Sequence, residues 1–379
     1  MMNANAFAAL VDRARREVDE GIVPSCQLAI AEKGAVVEAV TLGDAVAGDD
    51  TRYVIFSCTK ALVASTVWQL LAEGAIQLED RVAEHIPEFG ENGKDIVTIE
   101  QVLLHTSGFP RAPLGPPRWL TREARVAAFA KWRLNWEPGT RFEYHATSAH
   151  WVLAELIARA DGVEHTEAIR RRVLEPLGLT RLALGVPKDE QHDIAPLEHT
   201  GQVPTPEEFQ SVLGVPGIDL GEVTEAALMA FNEPDNLAVG VPGGGGVSTA
   251  AELALFYQAL LHNPDEVWDP KWLAVATSDV RNTFEDAMAG GIKTNRTIGL
   301  VVAGGDGLGA RRGFGHGNSP GTFGHDGAGG QLAWADPETG LSFAYLTNGI
   351  DRHLIRQWRR NIGIGSRAAA VGLPDHAGN

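Results

Sequence analysis

Ser57-Cys58-Thr59-Lys60 sets a hydroxyl three residues ahead of an amine, and on a helix those two side chains share a face. The flanking sequence predicts that helix. Tyr53-Val54-Ile55-Phe56 reads as a short strand, and Lys60 through Glu73 is mostly apolar and stops at Gly74. A serine hydroxyl is a weak nucleophile and needs a base. A lysine becomes one when desolvation brings its pKa toward neutrality. Lys60 runs into Ala61-Leu62-Val63-Ala64, which points it at a core, where an idle ammonium would be costly. The helix N-terminus disfavours a second cation and offers N–H groups to a developing oxyanion. The chemistry on offer is acyl transfer through Ser57. Taken alone, however, Ser-x-x-Lys is common, and an N-cap serine beside a surface lysine explains it better.

The elements around this tetrapeptide suggest how it is held. Ala6, Leu10, Ala14 and Val18 recur at helical spacing up to Gly21. Gln27–Ala31 and Ala35–Leu42 read as a hairpin across Glu32-Lys33-Gly34. From Leu78 to Asp286 the chain is mainly helical. A helix starts after Thr98, one spans Ala149 to Ala160 before Asp161-Gly162, and one spans Thr249 to Leu261 after Gly243–Gly246. Pro110–Pro117 and Gly185–Pro206 are loops that frame a cleft in this reading. Gln331–Ala335 and Leu341–Leu346 return as strands about a turn, followed by a last helix from Asp351 to Arg360 and a Gly/Ala-rich tail. The expected fold is α/β (α+β): one antiparallel sheet from both chain ends flanked by helices, with a mainly helical insertion lobe. As a single unit over 1–379, it divides into an α/β lobe (about 1–80 with 290–379) and a helical lobe (81–289).

Composition excludes several classes. A net charge of −17 without a basic run argues against nucleic acid as a partner. Arg170-Arg171-Arg172 reads as a solvated helix face. No apolar stretch approaches the roughly 20 residues that span a bilayer, and Met1–Ile22 is charged and amphipathic, unlike a signal peptide. Cys26 and Cys58 form neither a disulfide framework nor a zinc spacing. A soluble, cytoplasmic enzyme acting on a small molecule is expected, with no cofactor, no metal and no membrane.

Further motifs change the weight of Ser57. Val102-Leu103-Leu104-His105-Thr106-Ser107-Gly108, Pro138-Gly139 ahead of Tyr144, Glu175-Pro176-Leu177-Gly178-Leu179, Pro242 through Thr249, and Gly324-His325-Asp326-Gly327 follow it in order. This series resembles the serine β-lactamase and penicillin-binding-protein superfamily, in its class C-like branch with the family VIII carboxylesterases. The resemblance implies Ser57 as nucleophile, with Lys60 and Tyr144 as general bases. It implies an oxyanion hole from the Ser57 and Ala328 amides, and substrate contacts at His325, Asp326 and Gly327. His325 would donate to substrate or to Tyr144, and Lys60 would be the cation that acidifies Tyr144.

Two departures narrow the expectation. The family's Tyr-x-Asn is Tyr144-His145-Ala146 here, and its Lys-Thr-Gly is His325-Asp326-Gly327, so neither an asparagine amide nor a motif lysine awaits a lactam or a terminal carboxylate. The expected reaction is carboxylic ester cleavage, or acyl transfer to an alcohol. The alternatives are a β-lactamase or D-aminoacyl (D,D-) peptidase, and a catalytically silent binding module. The apolar and aromatic residues from Arg111 to Trp119 suggest a hydrophobic ester. Gly317-Asn318-Ser319-Pro320-Gly321 matches a nucleophile elbow, but Pro320 lacks the N–H that an elbow donates there. His145 with His150, and His316 with His325, lack metal-binding signatures. His105 is expected to support the site structurally, and Cys58 to point into the packing.

Overall fold

The structure is a computed structural model that describes residues 2–218 and 221–373. Helix α1 (Ala4–Asp19) begins where the Asn3 side chain accepts from the Ala6 amide, and it buries Leu10 and Ala14. Strands β1 (Ser25–Glu32) and β2 (Ala35–Gly43) form the predicted hairpin, turning at Lys33 and Gly34, both with positive φ. β1 is buried on both faces while β2 alternates, which marks β1 as central and β2 as the edge. Tyr53–Val54 then leads through a single 3-10 turn at Phe56–Cys58 into α2 (Thr59–Ala72), which is buried almost all round. A second buried helix, α3 (Ser148–Asp161), ends at Gly162 with φ 71°.

Helix α4 (Ala250–His262) starts at Thr249, whose hydroxyl accepts from the Glu252 amide. It brings the middle stretch back onto the sheet. Gln258 donates to the Ala31 and Gly340 carbonyls, and the Ser342 hydroxyl donates to the Ala254 carbonyl. The main sheet is completed by β3 (Val301–Val302), β4 (Phe323–Gly324), β5 (Leu332–Asp336) and β6 (Leu341–Thr347), and α5 (Leu354–Val371) is the last helix. The main sheet has six strands in the order β2-β1-β6-β5-β4-β3, antiparallel throughout. Cys26 opposite Thr347 and Glu32 opposite Leu341 join the first strand to the last long one, so the chain ends do build one sheet. One apolar cluster lies on the side of α2, α3 and α4, and another lies under α1 and α5.

The last helix is longer than the sequence predicts. It continues past Arg360 to Val371 because Ile364, Ala368 and Val371 extend the buried stripe against α1. Gly365 allows the Gly315 backbone to lie against the helix, since a side chain carbon at 315 would fall 2.2 Å from the Gly365 carbonyl carbon. Of the expected tail, residues 374–379 lie outside the described residues. The triple arginine is a solvated face held by ion pairs. Arg170 bonds Glu167, and Arg172 bonds Asp161 and Glu73.

Candidate active site

Ser57 is presented by backbone strain. Phe56, just ahead of it, has φ 43°, a conformation that is costly for an aromatic residue and persists only where the surroundings impose it. Those surroundings are a short ladder and an aromatic contact. Tyr53–Val54 pairs with Gly246–Ser248, the Ile55 amide donates to the Gly246 carbonyl at 2.9 Å, and the Phe56 ring meets Phe231 edge-on. Ser57 emerges half-buried at the head of a helix, while Cys58 turns inward and donates its thiol to the His325 carbonyl at 3.1 Å. That contact ties the start of α2 to the third motif.

Lys60 is fully buried and aimed at the serine. Its Nζ lies 3.0 Å from Ser57 Oγ, 2.8 Å from the Ala146 carbonyl and 2.6 Å from the Gly243 carbonyl. Burial, then the nearby Arg296 charge, hold its pKa well below the usual lysine value. A neutral amine fits this environment. It gives its two hydrogens to the two carbonyls and turns its lone pair toward the serine hydroxyl. Ala146 stands where the family's asparagine would, and its backbone takes over a contact to the lysine. Gly243 makes this possible: a side chain carbon there would meet the Ala146 carbonyl oxygen at 2.7 Å.

Tyr144 lies in hydrogen-bonding reach of Ser57. Burial raises its phenol pKa, and Arg296 is the first influence opposing that rise. Lys60 Nζ is 4.9 Å from the tyrosine ring centroid and the Arg296 guanidinium carbon is 5.2 Å from it. The sequence assigns the acidifying cation to Lys60; the electrostatics assign it to Arg296, the charge that lowers the Tyr144 pKa most. Arg296 is buried between the Phe142 and Tyr144 rings, and no carboxylate pairs with it among the described residues. Nothing in its sequence context marks it, since it comes from a segment without a motif. It also revises the expectation that the site lacks a permanent cation.

The His-Thr-Ser-Gly segment braces Tyr144. His105, with φ 57°, stacks 4.9 Å from the tyrosine ring and accepts from the His145 amide at 3.1 Å. His145 accepts from the Ser107 hydroxyl and the Phe109 amide on Nε2, and its Nδ1 donates to the Glu143 carbonyl. Burial pushes His145 down to about 3 and His105 and His150 well below their usual range, so all three are neutral. Among the described residues the single grouping able to hold a metal is Asp80, Glu84 and His85, apart from these histidines. Ser319, from the elbow-like pentapeptide, is also structural: its hydroxyl donates to Asp336 at 2.6 Å.

The third motif passes close behind the serine. A side chain carbon at Gly327 would sit 2.6 Å from the Ile55 carbonyl oxygen, so only glycine admits this approach. The Ser57 and Ala328 amides have no protein acceptor among the described residues, as oxyanion donors require. His325 differs from expectation. It is 3% exposed, its Nδ1 is 2.7 Å from the Asp326 carbonyl, and its Nε2 faces Arg296 at 3.5 Å. Its pKa is held well below the usual value, first by burial and then by Arg296. It is therefore a neutral ring packed behind Tyr144, with no hydrogen bond to that residue and no free edge toward the cleft. The exposed side chain of the motif is that of Asp326, 49% exposed.

The stretch from Arg111 to Trp119 offers no aromatic or aliphatic side chain to the surface beyond its prolines. Ala112, Leu114 and Trp119 are buried, and Trp119 donates to Asn236 at 3.0 Å. What it exposes is Arg111, Arg118 and three prolines, so the aromatic surface expected there is absent.

One further acid was not legible in the sequence. Glu222 accepts from Thr147, the residue after Ala146, and burial pushes its carboxyl up to about 7. An acid with a raised folded pKa destabilises the fold as pH climbs from its unfolded value, about 4.3, to the folded one. The Glu222→Gln protein should therefore melt progressively higher than wild type between pH 4.5 and 7.5 (about the span of the two values) and show a constant difference above. A melting difference independent of pH would remove burial as the cause.

The chain as a whole is similar to known proteins over most of its length. The sequence profile of the family described as Beta-lactamase matches residues 7–361. The esterase/beta-lactamase LipL of Mycobacterium tuberculosis is 28% identical over 319 residues, covering 79% of this chain and 70% of that protein. Among solved structures, a penicillin-binding protein homolog from Caulobacter crescentus superposes with a TM-score of 0.81 at 26% identity, covering 98% of this chain and 99% of the other. A family VIII carboxylesterase superposes with a TM-score of 0.76 at 25% identity, covering 97% and 99%. With its two-ended antiparallel sheet and a profile match over nearly its whole length, this chain belongs to the beta-lactamase family of serine hydrolases.

Proposed function

We propose that this hydrolase cleaves carboxylic esters through a Ser57 acyl-enzyme. The single observation that carries the reading is the buried Lys60 amine, 3.0 Å from Ser57 Oγ with its other two contacts on backbone carbonyls. In the proposed cycle Lys60 takes the serine proton as the hydroxyl attacks the ester carbon. The Ser57 and Ala328 amides hold the oxyanion, and Tyr144, protonated at rest, hands its proton to the departing alcohol and recovers one from Lys60. Water, or an alcohol acceptor, then enters by the reverse path. The chain acts as one unit, with the cleft between an α/β lobe (about 1–80 with 290–379) and a helical lobe (81–289). Cys26 and Cys58 are free and buried, which favours a cytoplasmic setting. No helix among the described residues is long and apolar enough to cross a membrane.

Esters are favoured over lactams because the motif lysine is replaced by a neutral, enclosed histidine and the asparagine by Ala146. Arg296 and the LipL relationship keep β-lactam hydrolysis as the second reading. A side-by-side assay separates them. A short-chain nitrophenyl ester should be turned over with a kcat/KM about a hundredfold or more above that of a chromogenic cephalosporin, the scale on which missing polar partners discriminate. Faster cephalosporin turnover would overturn the ester reading. No turnover of either, with no labelling of Ser57 by a fluorophosphonate, would identify a silent binding module.

A further inference from the structure

Asp326 sits between His325, whose ring lies 6.1 Å from that of Tyr144, and Gly327, one residue before the proposed oxyanion amide. Its side chain is 49% exposed, yet its carboxyl pKa is raised, chiefly by the protein around it and against the pull of Arg296. It is therefore a partly exposed carboxylate, next in the chain to the ring that packs on Tyr144.

Among the described residues no cation neutralises it. The nearest charged-capable partner is His325, at 3.9 Å and held neutral. The loop on its other side packs its backbone against the carboxylate and brings no side chain to it: a side chain carbon at Gly313 would lie 3.0 Å from the Asp326 carboxyl carbon. The two arginines of that loop are engaged elsewhere. Arg312 bonds Asp306 and the Ala303 carbonyl, and Arg311 bonds the Ala289 carbonyl. Asp286 lies near enough to add to the negative field. Arg296 and, after it, Lys60 oppose it, but both from buried positions and neither within ion-pair distance. The charge that a substrate meets at the third motif is negative.

We infer that Asp326 is a specificity-determining residue that selects esters whose alcohol portion carries a cation, such as an ammonium group, and disfavours those carrying a carboxylate. The alcohol side is assigned because Tyr144, which would protonate the leaving alcohol, packs against the residue preceding Asp326. A fixed carboxylate about 6 Å from an ammonium in a partly solvated cleft changes relative rates by roughly tenfold. This inference rests on the ester-cleaving reading.

The test uses three acetate esters of matched size with wild type, Asp326→Asn and Asp326→Glu: trimethylammonioethyl acetate, the uncharged 3,3-dimethylbutyl acetate, and an acetate ester of a hydroxycarboxylic acid. Wild type should give a cationic-to-neutral ratio of kcat/KM of about ten and an anionic-to-neutral ratio below one, both approaching one at high salt. Asp326→Asn should collapse the cationic preference, and Asp326→Glu should keep most of it. A flat series, a preference for the anion, or a cationic preference untouched by Asp326→Asn overturns the inference. Absence of cleavage of the uncharged ester, alongside inactivity on the nitrophenyl ester, instead indicts the ester reading.

Discussion

Replacing Ser57 with alanine should lower ester turnover by about four to six orders of magnitude, the range found when the nucleophile of a coupled serine site is removed. The loss should be catalytic: the side chain is half-buried and loses little packing as alanine, so the melting temperature should stay close to that of wild type. A fluorophosphonate should modify wild type once, on the peptide containing Ser57, and leave Ser57→Ala unmodified. Ser319→Ala separates the two candidate serines. It breaks the 2.6 Å bond to Asp336 and should cost stability, yet labelling at Ser57 should persist. Labelling that follows Ser319 would move the site to the opposite end of the motif series.

Lys60→Arg should reduce kcat by about three orders of magnitude or more, although it keeps a basic side chain of similar length. The base must be neutral before attack, and a guanidinium stays protonated throughout the accessible pH range. Lys60→Met, closer in shape and uncharged, should fail as badly, since it offers no lone pair and leaves the Ala146 and Gly243 carbonyls without their donor. Wild-type kcat/KM should fall as pH drops through the depressed Lys60 pKa, because the protonated amine cannot accept the serine proton. The same depression has a stability sign. The unfolded chain binds a proton that the folded one resists, so this group favours folding more as pH rises toward the ordinary lysine value. Retention of most activity in Lys60→Arg would show that Lys60 serves only as a charge.

Much of the scaffold was legible because it is written in local patterns. The β1–β2 hairpin, the all-round apolar α2, the Thr98 and Thr249 caps and the Gly162 stop follow from spacing and capping chemistry, which need only neighbours in sequence. The extension of α5 to Val371 was missed because the glycines at 363 and 365 lower local propensity. The burial that outweighs them comes from α1 and the Gly315 loop, far away in sequence.

For the site, the sequence determined which reactive groups exist, their order, and the glycines that let 243 and 327 approach the serine. It could not determine the charge state of any of them. That depends on what surrounds each side chain in space. Complete burial, with two carbonyls as its partners, lowers the Lys60 pKa toward that of a base. Arg296, from a segment with no motif, supplies the cation expected of the lysine. His325 is turned inward and neutral while Asp326 is left exposed, and the apolar residues near Trp119 are absorbed into the core. Ionisation and access are set by desolvation and by charges from distant segments, and only the folded chain brings those together.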